Sequence, residues 1–252
     1  MIQYSKFKYL NKKFTSNSCG EFIVLEYINT QHIKIKFDED GTEMFVRSVH
    51  IKSGMIKNPN SKNIFNIGYF GYGKYNSKLE INGINIWKMW YHMLSRCYDI
   101  NSQEFKTRTY VDCSVAPIWH NFQNFAEWCI QNLKYNFVID KDILFKGNKI
   151  YSPETCCFVP KEINGLFITQ KINRGKYPIG VCFISERNKY MSHCHINENQ
   201  KTLGYFNTSD EAFLIYKKYK EQYIKEIADK WCKYILSNVY QAMYNYQVEI
   251  TD

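Results

Sequence analysis

From Ile179 to about Leu236 the chain reads as three strand-forming runs followed by one capped helical run. Ile179 to Ile184 is the first strand, and Glu186-Arg187-Asn188 turns the chain. Lys189 to Ile196 is the second, Asn197-Glu198-Asn199-Gln200 the next turn, and Lys201 to Phe206 the third. Thr208 and Glu211, three residues apart, form a capping box that opens a helix with Ala212, Ile215, Tyr219, Ile227 and Trp231 among its apolar positions. Three antiparallel strands packed on one helix make a complete small domain.

The first 57 residues repeat the strand signal. Glu21 to Tyr27, His32 to Phe37 and Glu43 to Val49 are expected strands, with Asp38-Glu39-Asp40-Gly41 as a turn. Ile33, Ile35 and Phe37 alternate with His32, Lys34 and Lys36, which implies one buried face. The polar face carries Lys34, Lys36, Arg47 and Lys52. Residues 58–84 read as linker or loop. Within them, Gly68-Tyr69-Phe70-Gly71-Tyr72-Gly73 is either a backbone-exposing, base-stacking loop or a packed irregular one.

Helical spacing predicts helices over 85–98 (Trp87, Trp90, Tyr91, Leu94) and 119–133 (Phe122, Phe125, Ala126, Cys129, Ile130). Arg96 and His92 are candidates for a polar edge. Next come Val138 to Leu144, a Gly147-Asn148 turn, Tyr151 to Pro160, and a short helix from near Pro160 that carries Asn164. That is a ββα order. The whole is an α+β chain. It has a small β-rich module (1–57), a linker (58–84), a central helical region with the ββα motif (85–173), and a three-stranded antiparallel sheet packed on a helix, with a C-terminal helix (174–252).

The 252-residue chain has a net charge of +9, spread along its length, as contact with an extended polyanion requires. No run approaches the ~18 consecutive apolar residues of a membrane span, so no membrane partner is expected. Met1 to Lys6 lacks the apolar core of a signal peptide. The nine cysteines are an odd number, scattered among apolar neighbours, and read as reduced core thiols of a cytoplasmic protein. Cys97, Cys113, Cys156 and Cys157 form no Cys-x-x-Cys knuckle, so zinc is not expected.

Two stretches resemble known families. Ile179-Gly180-Val181, the strand around Tyr190, Leu203-Gly204-Tyr205-Phe206, Thr208, Glu211-Ala212 and Tyr216 resemble the DNA-binding domain of plant ethylene-response factors, which also occurs in phage and mobile-element homing endonucleases. The resemblance implies a sheet that enters the major groove of double-stranded DNA. It nominates Arg174, Lys176, Arg187, Lys189, Tyr190, His193 and Lys201, with Tyr190 where that family usually has tryptophan. Trp87, Met93, Arg96-Cys97-Tyr98, Trp119, Phe122, Phe125, Ile139-Asp140-Lys141-Asp142, Tyr151-Ser152-Pro153-Glu154, Cys157 and Asn164 resemble phage HNH-type homing endonucleases. That resemblance implies a phage protein acting in an infected bacterial cell. It implies one divalent metal, Mg²⁺ or Mn²⁺, held by Asp140 and Asn164.

Lys141 occupies the place of the family's general-base histidine. A lysine of ordinary pKa is protonated at pH 7 and takes no proton from water. Asp142 is the nearest substitute, and His92 and His120 are remote in sequence. Three readings follow. The first is a homing-type DNA endonuclease using Asp140, Asp142 and Asn164. The second is a catalytically inactive relative that binds DNA or inhibits a host protein. The third is RNA binding through aromatic surface. The bland alternative makes Asp140 and Asp142 the flanks of a strand end, with Lys141 as a solvated salt-bridge partner.

Overall fold

Alternation builds the first sheet. β1 (Lys13–Thr15), β2 (Glu21–Asn29), β3 (His32–Phe37) and β4 (Glu43–Val46) pair antiparallel in sequence order. Phe22, Val24, Ile33, Ile35 and Phe37 are fully buried, as the period of two requires. Each such side chain contributes roughly 1.5–3 kcal/mol by leaving water. Tyr27, Val46, Ile51 and Ile56 complete this core.

The third strand is shorter than its expected span of Glu43 to Val49. It stops at Val46, and α1 (Ser48–Ser53) follows. Ile51 enters the core while Val49 stays exposed. Packing of one isoleucine thus outweighs the strand preference of Val49. Gly54, at φ 67°, ends the helix, its N–H donating to the carbonyls of His50 and Ile51.

The computed structural model describes residues 7–102, 110, 112–167, 176–196 and 199–252. It is a mixed α+β chain that divides into two compact units, Met1–Gln131 and Asn132–Asp252. That division falls inside the segment 85–173.

The first unit also contains α2 (Ile86–Tyr98), capped by the Asn85 side chain, which accepts from the Lys88 N–H at 2.8 Å. Ile86, Trp90, Met93, Leu94 and Cys97 are its buried stripe, and Tyr91 is exposed. A 3₁₀ turn, Pro117–His120, precedes α3 (Phe122–Asn132), so this helix starts three residues later than its apolar pattern suggests. Ile130, expected on its apolar face, is 44% exposed. The glycine-aromatic run 68–73 is a packed loop. The buried Gln123 amide donates to the carbonyls of Phe70 and Tyr75 and accepts from the Tyr75 N–H. A Cβ on Gly71 (φ 74°) would stand 2.0 Å from the Asn121 side chain. Here glycine brings backbone close to the protein's own helix rather than to a ligand.

In the second unit β5 (Phe137–Asp140) pairs antiparallel with β6 (Cys157–Pro160), and α4 (Lys161–Phe167) packs on both strands. The ββα order stands as expected. β7 (Val181–Ile184), β8 (Lys189–Ile196) and β9 (Asn199–Phe206) form the second sheet, covered on one face by α5 (Ser209–Trp231). Both halves of the Thr208–Glu211 capping box are present. Gly180 (φ 74°) is required where it stands, because a Cβ there would fall 2.1 Å from the Tyr216 ring. α5 ends at Trp231 rather than near Leu236. Tyr234 and Ile235 N–H groups turn back to the Trp231 carbonyl, and α6 (Ser237–Tyr244) follows and packs on α5.

All nine cysteines are free thiols, and seven are buried. Among the described residues no helix is long and apolar enough to cross a membrane.

Candidate functional site

Asp140 is the last residue of β5, opposite Cys157 of β6. Its Oδ1 accepts the backbone N–H groups of Asp142 and Ile143, both at 2.8 Å. The chain then makes a turn that Asn148 clasps, its Nδ2 donating to the carbonyls of Lys141 and Ile150 at 2.7 Å. Lys141 is only 8% exposed. Its Nζ lies 2.7 Å from Asp142 Oδ2 and 5.8 Å from the Tyr151 ring centre. This corrects the expectation of a solvated lysine: the ammonium is held inside the turn. Asp142 is nearly half exposed, with its carboxylate engaged by Lys141.

Burial pushes the Asp140 carboxyl up to about 6, and the negative charge of Asp142 adds to the rise. The two N–H donors and Lys141 pull the other way without prevailing. Among the described residues no hydrogen bond reaches Asp140 Oδ2. Burial likewise pushes the Cys156 thiol up to about 12 and raises that of Cys157, so both remain neutral.

Asn164 sits half-buried on α4, beside the buried Ile163, and its side chain makes no hydrogen bond among the described residues. Asp140, Lys141 and Asp142 therefore form one cluster. Asn164 stands on the helix that covers the strand pair, with its amide uncommitted and unlinked to Asp140. His92 and His120 belong to the first unit. His92 is exposed, and His120 Nε2 is 2.8 Å from the Val115 carbonyl, its pKa lowered by burial. Arg96, also in that unit, lies half-buried over the Tyr110 ring at 5.5 Å.

Among the described residues no group of three or more His, Cys, Asp or Glu side chains is placed to hold a metal. The open donors here are oxygens, Asp140 Oδ2 and the Asn164 amide. Such a pair fits a hard cation that keeps several waters, Mg²⁺ or Mn²⁺, and not the nitrogen and sulfur set of zinc.

The second candidate region is the sheet β7-β8-β9. Tyr190, Ser192 and Cys194 point towards α5, and the register places Phe206 and Lys201 on the same side. No known protein family, curated protein or solved structure matches this chain. The register alone therefore sorts the expected DNA contacts. Lys189, Met191, His193 and His195 alternate onto the face that α5 leaves uncovered, with Tyr205, Thr202 and Gln200 opposite them on β9. Arg187 stacks on Tyr205 at 4.4 Å, and Lys189 bonds the Asn207 side chain. Lys176 is exposed beside Tyr177.

Two expected contacts fall elsewhere. Tyr190 packs between Tyr177 and Phe183 on the helix side. Lys201 reaches the Tyr219 hydroxyl at 3.2 Å and lies over that ring. Arg174 lies outside the described residues. Besides Met191, Gln200 and Thr202, two ring-bearing members of the free face escaped notice from sequence, His195 and Tyr205. Counting by two from His193, and pairing Arg187 with the next strand's aromatic, would have found both.

The C-terminal tail closes on the turn after Asp140. Lys146 Nζ bonds Asp252 at 2.8 Å and the Gln247 carbonyl at 2.7 Å, and lies 4.8 Å from the Tyr246 ring centre. Burial, and then the charges of Asp252 and Asp142, raise the Tyr246 hydroxyl above the ordinary tyrosine range.

Proposed function

We propose that this chain is a DNA-binding protein of the HNH homing-endonuclease type, whose β5-β6-α4 motif hydrolyses phosphodiester bonds with one divalent metal. The observation that carries the reading is Asp140. It is a largely buried carboxylate, raised to about 6, with one oxygen uncommitted at the end of the first strand of a ββα motif. Perturbed carboxylates of this kind concentrate at functional sites. The free face of the C-terminal sheet supports duplex binding. At its described strand positions it presents Lys189, His193, His195 and Tyr205 and no acidic side chain, while the adjoining turn carries both Arg187 and Glu186.

Asp140 Oδ2 and the Asn164 amide oxygen would hold the cation. When bound, Mg²⁺ or Mn²⁺ supplies charge to offset what develops on the phosphate and leaving oxygen. The two backbone N–H groups on Oδ1 fix the Asp140 side chain and leave its second oxygen without a hydrogen bond among the described residues. Lys141 cannot serve as the base, because its ammonium is paired with Asp142. Asp142 keeps nearly half of its side chain in solvent and is the proton acceptor within reach of the turn.

The same ion pair favours a second reading. An aspartate whose carboxylate is held by Lys141 at 2.7 Å already has a partner, as expected of an inactive relative that binds DNA or a host protein. Incubation of purified protein with supercoiled DNA separates the two, with Mg²⁺, Mn²⁺ or chelator, beside Asp140→Asn. Nicking that needs metal and is lost in the variant supports the nuclease. Salt-sensitive duplex binding without nicking, equal in both proteins, moves the conclusion to the inactive relative.

A further inference from the structure

We propose that a groove on the N-terminal sheet, remote in function from the ββα motif, binds a short segment of single-stranded nucleic acid, one base stacked on Phe45. The groove has a volume of about 410 Å³ and runs along β4, the outer strand of that sheet, to the segment after α1. This is within the ~300–1,000 Å³ range of small-ligand sites. Its apolar floor is unusual for a surface. Phe45 is 52% exposed and Met55 70% exposed. Around them stand Arg47, His32, His50 and Lys57, and none of the ten lining residues is acidic.

Among the described residues Arg47 and Lys57 form no ion pair, so their charge is uncommitted. Arg47 follows Phe45 by two positions, while Lys34, directly across from Phe45 in the β3–β4 register, is paired with Glu43 at 2.7 Å, so the free charge beside the ring comes from Arg47 and Lys57. A flat ring flanked by cations offers both things an unpaired nucleotide carries, a π-face and a phosphate. The exposed apolar part is one ring and one flexible thioether, since Val46 and Ile56, which also line the groove, are buried and Met44 is half-buried. It lacks the row of pockets that accepts helix anchors at i, i+3 and i+4, so a protein helix is the poorer fit. A single strand suits it better than a duplex, whose bases are stacked and unavailable to Phe45.

The test titrates a labelled twelve-residue thymidine oligonucleotide, and separately a 20-base-pair duplex, with the full chain at 50 mM and 200 mM salt. Phe45→Ala, at an exposed position, is expected to weaken oligonucleotide binding by about 10-fold or more, since one stacked base is worth roughly 5- to 150-fold. Phe45→Trp restores it, and duplex affinity stays within about twofold. Arg47→Ala is expected to reduce the salt slope by about 0.7, one single-strand phosphate contact. Absence of oligonucleotide binding at 50 mM salt overturns the proposal. So does a Phe45→Ala affinity equal to wild type, which would leave the groove to a partner of another class. Neither result bears on nicking, which is read with Asp140→Asn, so the two readings fail separately.

Discussion

Asp140 ends β5 and Asp40 lies in the turn between β3 and β4, and each accepts backbone N–H from residues just after it, yet they are opposites electrostatically. Asp40 is satisfied on both oxygens. Oδ1 accepts the Thr42 N–H at 2.9 Å, and Oδ2 accepts the Thr42 hydroxyl at 2.7 Å and the Asn58 amide at 3.0 Å. Burial pushes its carboxyl up, but those donors outweigh burial and hold it below the ordinary range. Asp140 receives donors on Oδ1 alone, has Asp142 beside it, and is raised to about 6. A turn needs only the first arrangement. An acid that is buried, half-satisfied and repelled by a neighbour costs stability in its charged form, and groups perturbed in this way concentrate at functional sites.

The largest expected effect is on activity. Asp140→Asn should reduce metal-dependent nicking to the chelator background, while Asp40→Asn leaves nicking unchanged. Equal activity in both variants would erase the functional half of the contrast. The stability effects should have opposite signs. Asp140→Asn keeps the Oδ1 acceptor and removes a desolvated charge, so it should stabilise the protein at pH 7.5 by roughly 2 kcal/mol, read as an increase in urea midpoint. Asp40→Asn replaces a well-solvated acceptor by an amide donor facing Thr42 and Asn58, and should destabilise by about 1–2 kcal/mol.

Much of this was readable in the chain because local signals agree with tertiary packing. β8 spans Lys189–Ile196 as its turns dictate, and the Thr208–Glu211 box starts α5 where expected. What was not readable depends on partners distant in sequence. α1 exists because Ile51 finds the core. Gly71 and Gly73 are held by Asn121 and Gln123, some 50 residues away. Alternation separates Tyr190 from Lys189 but does not say which set the helix covers. Lys201 misled because a lysine stem can lie along an aromatic ring, here Tyr219, and still count as polar. At the candidate site the aspartate at the end of a strand was legible, but its titration was not. That comes from burial and, second, from the charge of Asp142.

The pH dependence sharpens the same pair at smaller amplitude. Asp140 has a folded pKa above its unfolded value of about 3.9. Its contribution is fully present below that value and is lost as pH rises through about 6. Asp40 is lowered, so its contribution is present above the unfolded value and is lost as pH falls through the folded one. Wild type minus Asp140→Asn should therefore change mainly between pH 4 and 6. Wild type minus Asp40→Asn should change mainly below pH 4. Urea midpoints measured from pH 3 to 8 separate the two windows, and a difference that is flat from pH 4 to 6 would remove the claim that Asp140 is destabilised by ionisation.

The smallest effect isolates the cause. Burial is the larger source of the Asp140 shift and Asp142 the second, while Lys141 opposes both. Asp142→Asn should lower the Asp140 midpoint without restoring the ordinary carboxylate value, because burial stays. Lys141→Met should raise it by a similar amount, since the cation that favours the carboxylate is removed. Carbon-13 NMR of the Asp140 carboxyl reads both directly. Opposite displacements from substitutions one residue apart would show that the turn sets the charge state of Asp140 through its neighbours. A fall to the ordinary carboxylate value in Asp142→Asn would instead make charge repulsion, rather than burial, the dominant cause, and Asp140 would differ from Asp40 only by an accident of its nearest acid.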